Sequence, residues 1–350
     1  MEFKYKKNMD DVVTRHGRLC TQDFTDKILV KIDIEGLSFM DFYVDHMQYS
    51  PDYKKMFDCY KNFYEKTREL MDDSPPVARA SLGSAASNYF GGELSFTSQG
   101  IYSLPIADNL KGFDFSIIKY DPDNKWIKYQ MEMVKYFSEN AKGLFPVSIT
   151  EVIMGLPFVD LMIGQNAYLE IYDSPQLVLK MIDKSIEFYI KYINEQRKYV
   201  ERYRDGFFEM YFIWLPGNQI WNGMDVYANC SPEVWRQFGK PYHEEIGKYY
   251  GGQFMHMHSN AIYLVKEVSS TKYIKGISII DDFNMPRGFD KIDEIHRDAN
   301  RVPLQIMCTK DELLSGMKDK TLKRNVYYWC TSGVKTIEEA NKIMEIVYEY

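Results

Sequence analysis

The chain has 350 residues, 45% hydrophobic and 27% charged, a balance that suits a soluble globular protein and excludes a disordered one. A net charge of −7 and the lack of any lysine- or arginine-rich stretch interleaved with aromatics exclude a nucleic-acid binder. The N-terminus carries no apolar leader, no run of about 18 apolar residues offers a membrane span, and the five cysteines are too scattered for a disulfide framework, so a cytoplasmic protein with free thiols is expected.

Residues 1–75 read as a mainly helical N-terminal addition. They contain a short strand at 28–34 and helical spacing at Met56, Tyr60, Phe63 and Leu70. The turn formers of Asp72-Asp-Ser-Pro-Pro76 mark the boundary to a second unit, 76–350. Gly83, Gly91 and Gly92 follow without the order of a phosphate loop, which points to tight packing. A strand is expected near 93–96, a helix at 124–137 and a strand at 144–150. Ser174-Pro175 then opens a long helix as N-cap and first helical residue.

From there the pattern becomes regular: strand 210–215, helix 231–249, strand 253–258, helix 260–269, strand 276–280, helix 289–299, strand 302–307, helix 310–317, strand 325–329 and helix 336–349. Thr336-Ile-Glu-Glu339 begins the last helix in the manner of a capping box. Strict alternation of this kind predicts parallel strands covered by helices. A (β/α)8 TIM-type barrel with the N-terminal addition packed on it is the economical α/β architecture, and a doubly wound open sheet is the other.

The strand Gln253-Phe-Met-His-Met-His258 ends with two imidazoles at i and i+2. On a strand they share one face, and at its C-terminal end they sit where parallel α/β folds carry their chemistry, so His256 and His258 are the first metal-ligand candidates. The next strands also end on candidate groups, Asp281 and Asp282, Cys308 and Cys330. Of the two aspartates Asp281 is favoured for an acid–base or positioning role, while core packing is the better reading of Cys308.

Four segments in order resemble the uroporphyrinogen decarboxylase superfamily: Gly155-Leu-Pro-Phe-Val-Asp160, Tyr172-Asp-Ser-Pro-Gln176, Ser231-Pro-Glu-Val-Trp-Arg-Gln-Phe-Gly-Lys-Pro-Tyr242, and the strand ending in His256-Met-His-Ser-Asn260. The resemblance implies a β/α barrel and one of two chemistries, cofactor-free decarboxylation of uroporphyrinogen or zinc-dependent methyl transfer with a corrinoid. The tyrosine that the decarboxylases carry after their Gly-x-Pro-Phe-Thr segment is replaced here by Ile163, which argues against heme-pathway decarboxylation.

The methyltransferases of the superfamily imply Zn²⁺ held by His256, by the residue at 258 and by Cys330; His258 stands where they have cysteine. A His₂Cys set with one open position is a chemically sound zinc site, and Glu151 is a candidate to complete the shell. The remaining expectations follow from position. Asp160 and Asn166 lie after the Gly155 turn, and Trp214, Asn218, Trp221 and Tyr227 lie on or beside a loop at 216–230 that would rim the cavity and contact substrate. The expected function is a zinc-dependent methyltransferase that moves a methyl group between a small molecule and the cobalamin of a partner corrinoid protein. A cofactor-free decarboxylase or lyase on a small organic acid and a non-catalytic ligand-binding barrel are the alternatives, and a homo-oligomer is compatible with the sequence.

Overall fold

Segments such as Ile274–Ile280 and Val326–Ser332 are mostly apolar and largely buried on both faces, and strands of that kind need cover on each side. The structure, a computed structural model that describes residues 3–21, 27–37, 52–83, 86–97 and 100–350, supplies the cover by alternating strands and helices. The strands are β1 (Leu29–Ile32), β2 (Ala78–Arg79), β3 (Leu94–Thr97), β4 (Gly100–Ser103), β5 (Val147–Ser148), β6 (Gly206–Glu209), β7 (Ile213–Pro216), β8 (Ile220–Gly223), β9 (Gln253–His258), β10 (Ile274–Ile280), β11 (Leu304–Thr309) and β12 (Val326–Ser332). The helices that matter for the site are α1 (Met9–Cys20), α2 (Tyr53–Thr67), α3 (Lys125–Asn140), α4 (Leu156–Ile163), α5 (Pro175–Arg197) and α6 (Lys240–Tyr250).

Six strands make one parallel sheet in the order β1-β12-β11-β10-β9-β8. β2 and β5 form a separate parallel pair, and β3/β4 and β6/β7 are antiparallel hairpins. The expected α/β class with parallel strands is therefore present, but among the described residues the strands do not close into an eight-stranded ring. β2 and β5 are two residues long, and Pro75, Pro76 and Pro146 beside them have no N–H to give to a ladder. Instead of a strand, two carboxylates satisfy the edge of β1: Asp73 accepts from the Val30 N–H at 2.8 Å and Asp72 from the Ile32 N–H at 2.9 Å. Both acids are buried and are matched by Arg15 at 3.0 Å and Lys6 at 2.6 Å. The Asp72–Pro76 cluster thus finishes a sheet edge as well as making a turn. β1, which comes from the segment 1–75, pairs with β12, so the expected boundary at 75/76 does not separate an appended part from the sheet.

Local sequence accounts for several element ends. Asn124 caps α3 through the N–H groups of Trp126 and Ile127, and Thr336 accepts from the Glu339 N–H at 3.1 Å, as its motif predicts. The expected strand 210–215 is instead the tip and second arm of the β6/β7 hairpin. Tyr211 and Phe212 turn that corner with φ of 58° each, a left-handed conformation that is costly for an aromatic residue. β8 lies inside the segment 216–230, which the sequence reading treats as loop. No helix among the described residues is long and apolar enough to cross a membrane.

Candidate metal centre

In parallel ladders, residues in register share a face. His256 is in register with Ser278, Ser278 with Gln305, and Gln305 with Tyr327, so these side chains line one face of the sheet; His258 follows two residues on, on that same face. Gly223 of β8 is in register with His256, and the Met224 N–H donates to the His256 carbonyl at 3.0 Å. This bond anchors the short helical turn Asp225–Asn229 beside the end of β9 and brings the Asp225 carboxylate over the imidazoles.

Three ligand atoms converge there. His256 Nε2 and His258 Nε2 are 3.3 Å apart, and Asp225 Oδ1 lies 3.5 Å from the first and 3.6 Å from the second. A tetrahedral Zn²⁺ with bonds near 2.0–2.1 Å places its ligand atoms about 3.4 Å apart, so the triangle has the size that such an ion needs. His258 Nδ1 meets Asp282 Oδ1 at 2.7 Å, which fixes the proton on Nδ1 and leaves the Nε2 lone pair toward the triangle. Burial, with a smaller contribution from His258, pushes the His256 imidazole down to about 3, so it is neutral and able to ligate. Asp225 is pushed up to about 6: partial desolvation raises it, His258 opposes, and the negative charges of Glu151 and Asp282 add smaller upward pushes. Its side chain is 57% accessible, so solvent weakens this shift, and a cation at the triangle would reverse it.

Two aromatic rings hold His256 in place. Tyr211 stacks on it with centroids 4.7 Å apart and planes 15° from parallel, and Trp221 does so at 5.4 Å and 26°. The Tyr211 hydroxyl comes within 3.5 Å of His256 Nε2. The strained hairpin tip that carries Tyr211 is fixed from the sheet: Gln305 donates to the Tyr211 carbonyl at 3.0 Å and Tyr327 to the Phe212 carbonyl at 3.1 Å.

Of the ligands expected from sequence, His256 and His258 come together and Cys330 does not join them. Cys330 is in register with Cys308 and Ile32, on the face opposite the imidazoles, where it is fully buried and its thiol donates to the Ser332 carbonyl at 3.6 Å. Asp225 is the third group at the triangle, and Glu151 stands close enough to act on it electrostatically without being part of it. Asp281 likewise points away. Its carboxylate accepts from the Gly288 N–H at 2.7 Å and pairs with Arg287 at 3.5 Å, while its neighbour Asp282 holds His258.

The expected substrate contacts divide in the same way. Trp221 lies on β8 against His256 and not on a rim loop. Trp214 and Tyr227 are core residues: Trp214 packs with Phe3, Val13 and Tyr203, and the Tyr227 hydroxyl donates to the Phe238 carbonyl at 2.8 Å. Asn218 is exposed and offers its carbonyl to Arg197, and Asn166 is exposed with its amide on the Asp108 carbonyl. Asp160 is half-buried on α4, which raises its carboxyl above the ordinary range, and it lies outside the triangle. Asp225, Tyr211 and the role of Asp282 are the functional features that sequence reasoning missed.

No family model and no curated protein matches the chain. Among solved structures the fold is similar to that of a methyltransferase from Methanosarcina mazei, with a TM-score of 0.61 and 15% sequence identity over 97% of this chain and 98% of the other. At that identity the likeness is one of fold.

Proposed function

We propose that the protein is a zinc-dependent methyltransferase that works with a corrinoid protein, on an open variant of the β/α barrel of the uroporphyrinogen decarboxylase superfamily. The observation that carries the proposal is the triangle of His256 Nε2, His258 Nε2 and Asp225 Oδ1, at the C-terminal ends of adjacent parallel strands. The fold likeness to a methyltransferase and the four sequence segments support the reaction class.

His256, His258 and Asp225 would hold the ion, and when bound it would act as a Lewis acid toward a substrate heteroatom. Asp282 keeps His258 in the tautomer that ligates, and Trp221 and Tyr211 cover His256 and exclude water from one side of the site. The protonated Tyr211 hydroxyl, whose pKa burial raises further, can donate a hydrogen bond to a group bound beside His256 Nε2.

A donor set of two imidazoles and a carboxylate, without thiolate, also suits metal-assisted chemistry on a small acid, so a lyase is the second reading. Incubation with zinc, methylcobalamin and a panel of small thiols tests the first. Loss of the methyl–cobalt absorption that fails in His258→Ala supports methyl transfer. Unchanged absorption with every acceptor, together with zinc-dependent release of labelled CO₂ from a small acid, would replace it by the lyase.

A further inference from the structure

The tip of the β6/β7 hairpin is built against local preference. Glu209 is in register with Ile213, so Met210, Tyr211 and Phe212 make the turn, and the last two both have φ of 58°. Left-handed positions in hairpin turns are normally taken by glycine, asparagine or aspartate. Two aromatic residues persist there only because their surroundings over-determine the backbone, and strain of this kind gathers at functional sites.

The sheet row that begins with His256 supplies those surroundings. Gln305 is buried in that row, beside Ser278. The Tyr211 carbonyl can only accept, so the Gln305 amide turns Nε2 toward it at 3.0 Å and leaves Oε1 for the Ser278 hydroxyl, which donates at 2.7 Å. One strand further along, the hydroxyl of buried Tyr327 donates to the Phe212 carbonyl at 3.1 Å. Both carbonyls of the left-handed pair are thereby tied to the sheet that carries the imidazoles.

Packing alone would not fix the Tyr211 ring. It stacks on Trp221 as well as on His256, with centroids 5.3 Å and 4.7 Å apart, and Phe212 meets Trp329 edge-on at 5.7 Å. Stacked rings can slide over one another at little cost, whereas a hydrogen bond sets a distance and a direction.

We infer that Gln305 is a positioning residue for the metal centre: its bond to the Tyr211 carbonyl, backed by Ser278, sets the Tyr211 phenol on the His256 ring and its hydroxyl beside Nε2. Tyr327 does the same through the neighbouring carbonyl. The inference rests on the zinc reading for its effect on metal binding, but not for the clamp itself.

Fluorine NMR of the full chain with meta-fluorotyrosine in place of Tyr211 tests it, because one resonance reports the ring's surroundings with or without metal. A single line is expected, displaced from its position in urea and shifted again by Zn²⁺. Gln305→Met keeps the length of the side chain and loses the donor. It should move the metal-free line toward the urea position and raise the Kd for Zn²⁺ about three- to tenfold, less than the loss of a direct partner of a ligating histidine. Tyr327→Phe keeps the ring and is the milder change, and it should act in the same direction by about two- to threefold. Ile306→Val, on the opposite face of β11, controls for lost stability and should leave the line in place and the Kd within about twofold. In a protein that binds zinc, an unmoved line or an unchanged Kd in both Gln305→Met and Tyr327→Phe would overturn the inference, as would an equal rise in Kd in Ile306→Val. A line that moves in both variants of a protein that takes up no zinc would remove the zinc reading and leave the clamp on Tyr211 standing.

Discussion

Asp282 gives the sharpest test of how the centre is built, because its neighbour Asp281 supplies an internal control. The bond from His258 Nδ1–H to Asp282 Oδ1 measures 2.7 Å, in the range of charge-assisted hydrogen bonds, which contribute about 1.5–3 kcal/mol. The Asp282 side chain is 32% accessible, so water offsets part of that contribution and about 1.5–2 kcal/mol remains. Asp282→Ala should therefore raise the Kd for Zn²⁺ about 10- to 30-fold, within the range found for partners of metal-bound histidines. Asp282→Asn keeps an acceptor and loses the charge, which halves the effect to about three- to five-fold. Asp281→Ala loses the bond to the Gly288 N–H and costs about 1 kcal/mol of stability, but it should leave the zinc Kd within about twofold. Competition against a chromophoric zinc chelator measures all three. A larger metal effect in Asp281→Ala than in Asp282→Ala would refute the assignment of faces on which the site rests.

Two further predictions follow from burial. Cys330→Ala should keep its zinc, since the thiol lies on the helix-covered face, and should lose about 1 kcal/mol in urea unfolding through the small cavity it leaves. His16 is fully buried, with Nε2–H donating to the Asp73 carbonyl at 2.8 Å and Nδ1 accepting from the Trp214 N–H at 3.0 Å, so both nitrogens are committed to the neutral form. Its pKa falls from 6.5 to about 3, chiefly by burial. Below pH 6.5 the unfolded chain takes up a proton that the folded chain refuses, so this residue's contribution to stability is lost as pH falls. Between pH 6.5 and 5 the stability gap between wild type and His16→Gln should close by about 1.5 kcal/mol. A gap that does not change with pH would show that His16 is charged in the folded state.

The sequence shows its second half well because each strand there is a compact run of mostly apolar residues set off by a helical segment, and Thr309 and Thr336 cap the last two of these. The imidazoles of β9 mark their own shared face. In β12 the run Val326-Tyr-Tyr-Trp-Cys330 is apolar throughout, so no alternation reveals which residues face the cavity, and register alone turns Cys330 away. β10 did carry a signal: Ser278 is the buried polar residue of that strand, and counting from it by twos leads through Ile280 to Asp282, not Asp281. Asp225 was hidden because β8 has four residues and sits in a segment whose Gly217 and Asn218 read as loop. The open ring was equally hard to read, since it depends on two-residue strands and on acids that replace a neighbour through their side chains.

Metal analysis of protein purified without chelators tests the central claim most directly. The account predicts about one zinc per chain in the wild type and in Cys330→Ala, and loss of it in folded Asp225→Ala and His258→Ala. Zinc that is retained in Asp225→Ala but lost in Cys330→Ala would contradict it, as would a folded wild type that takes up no metal.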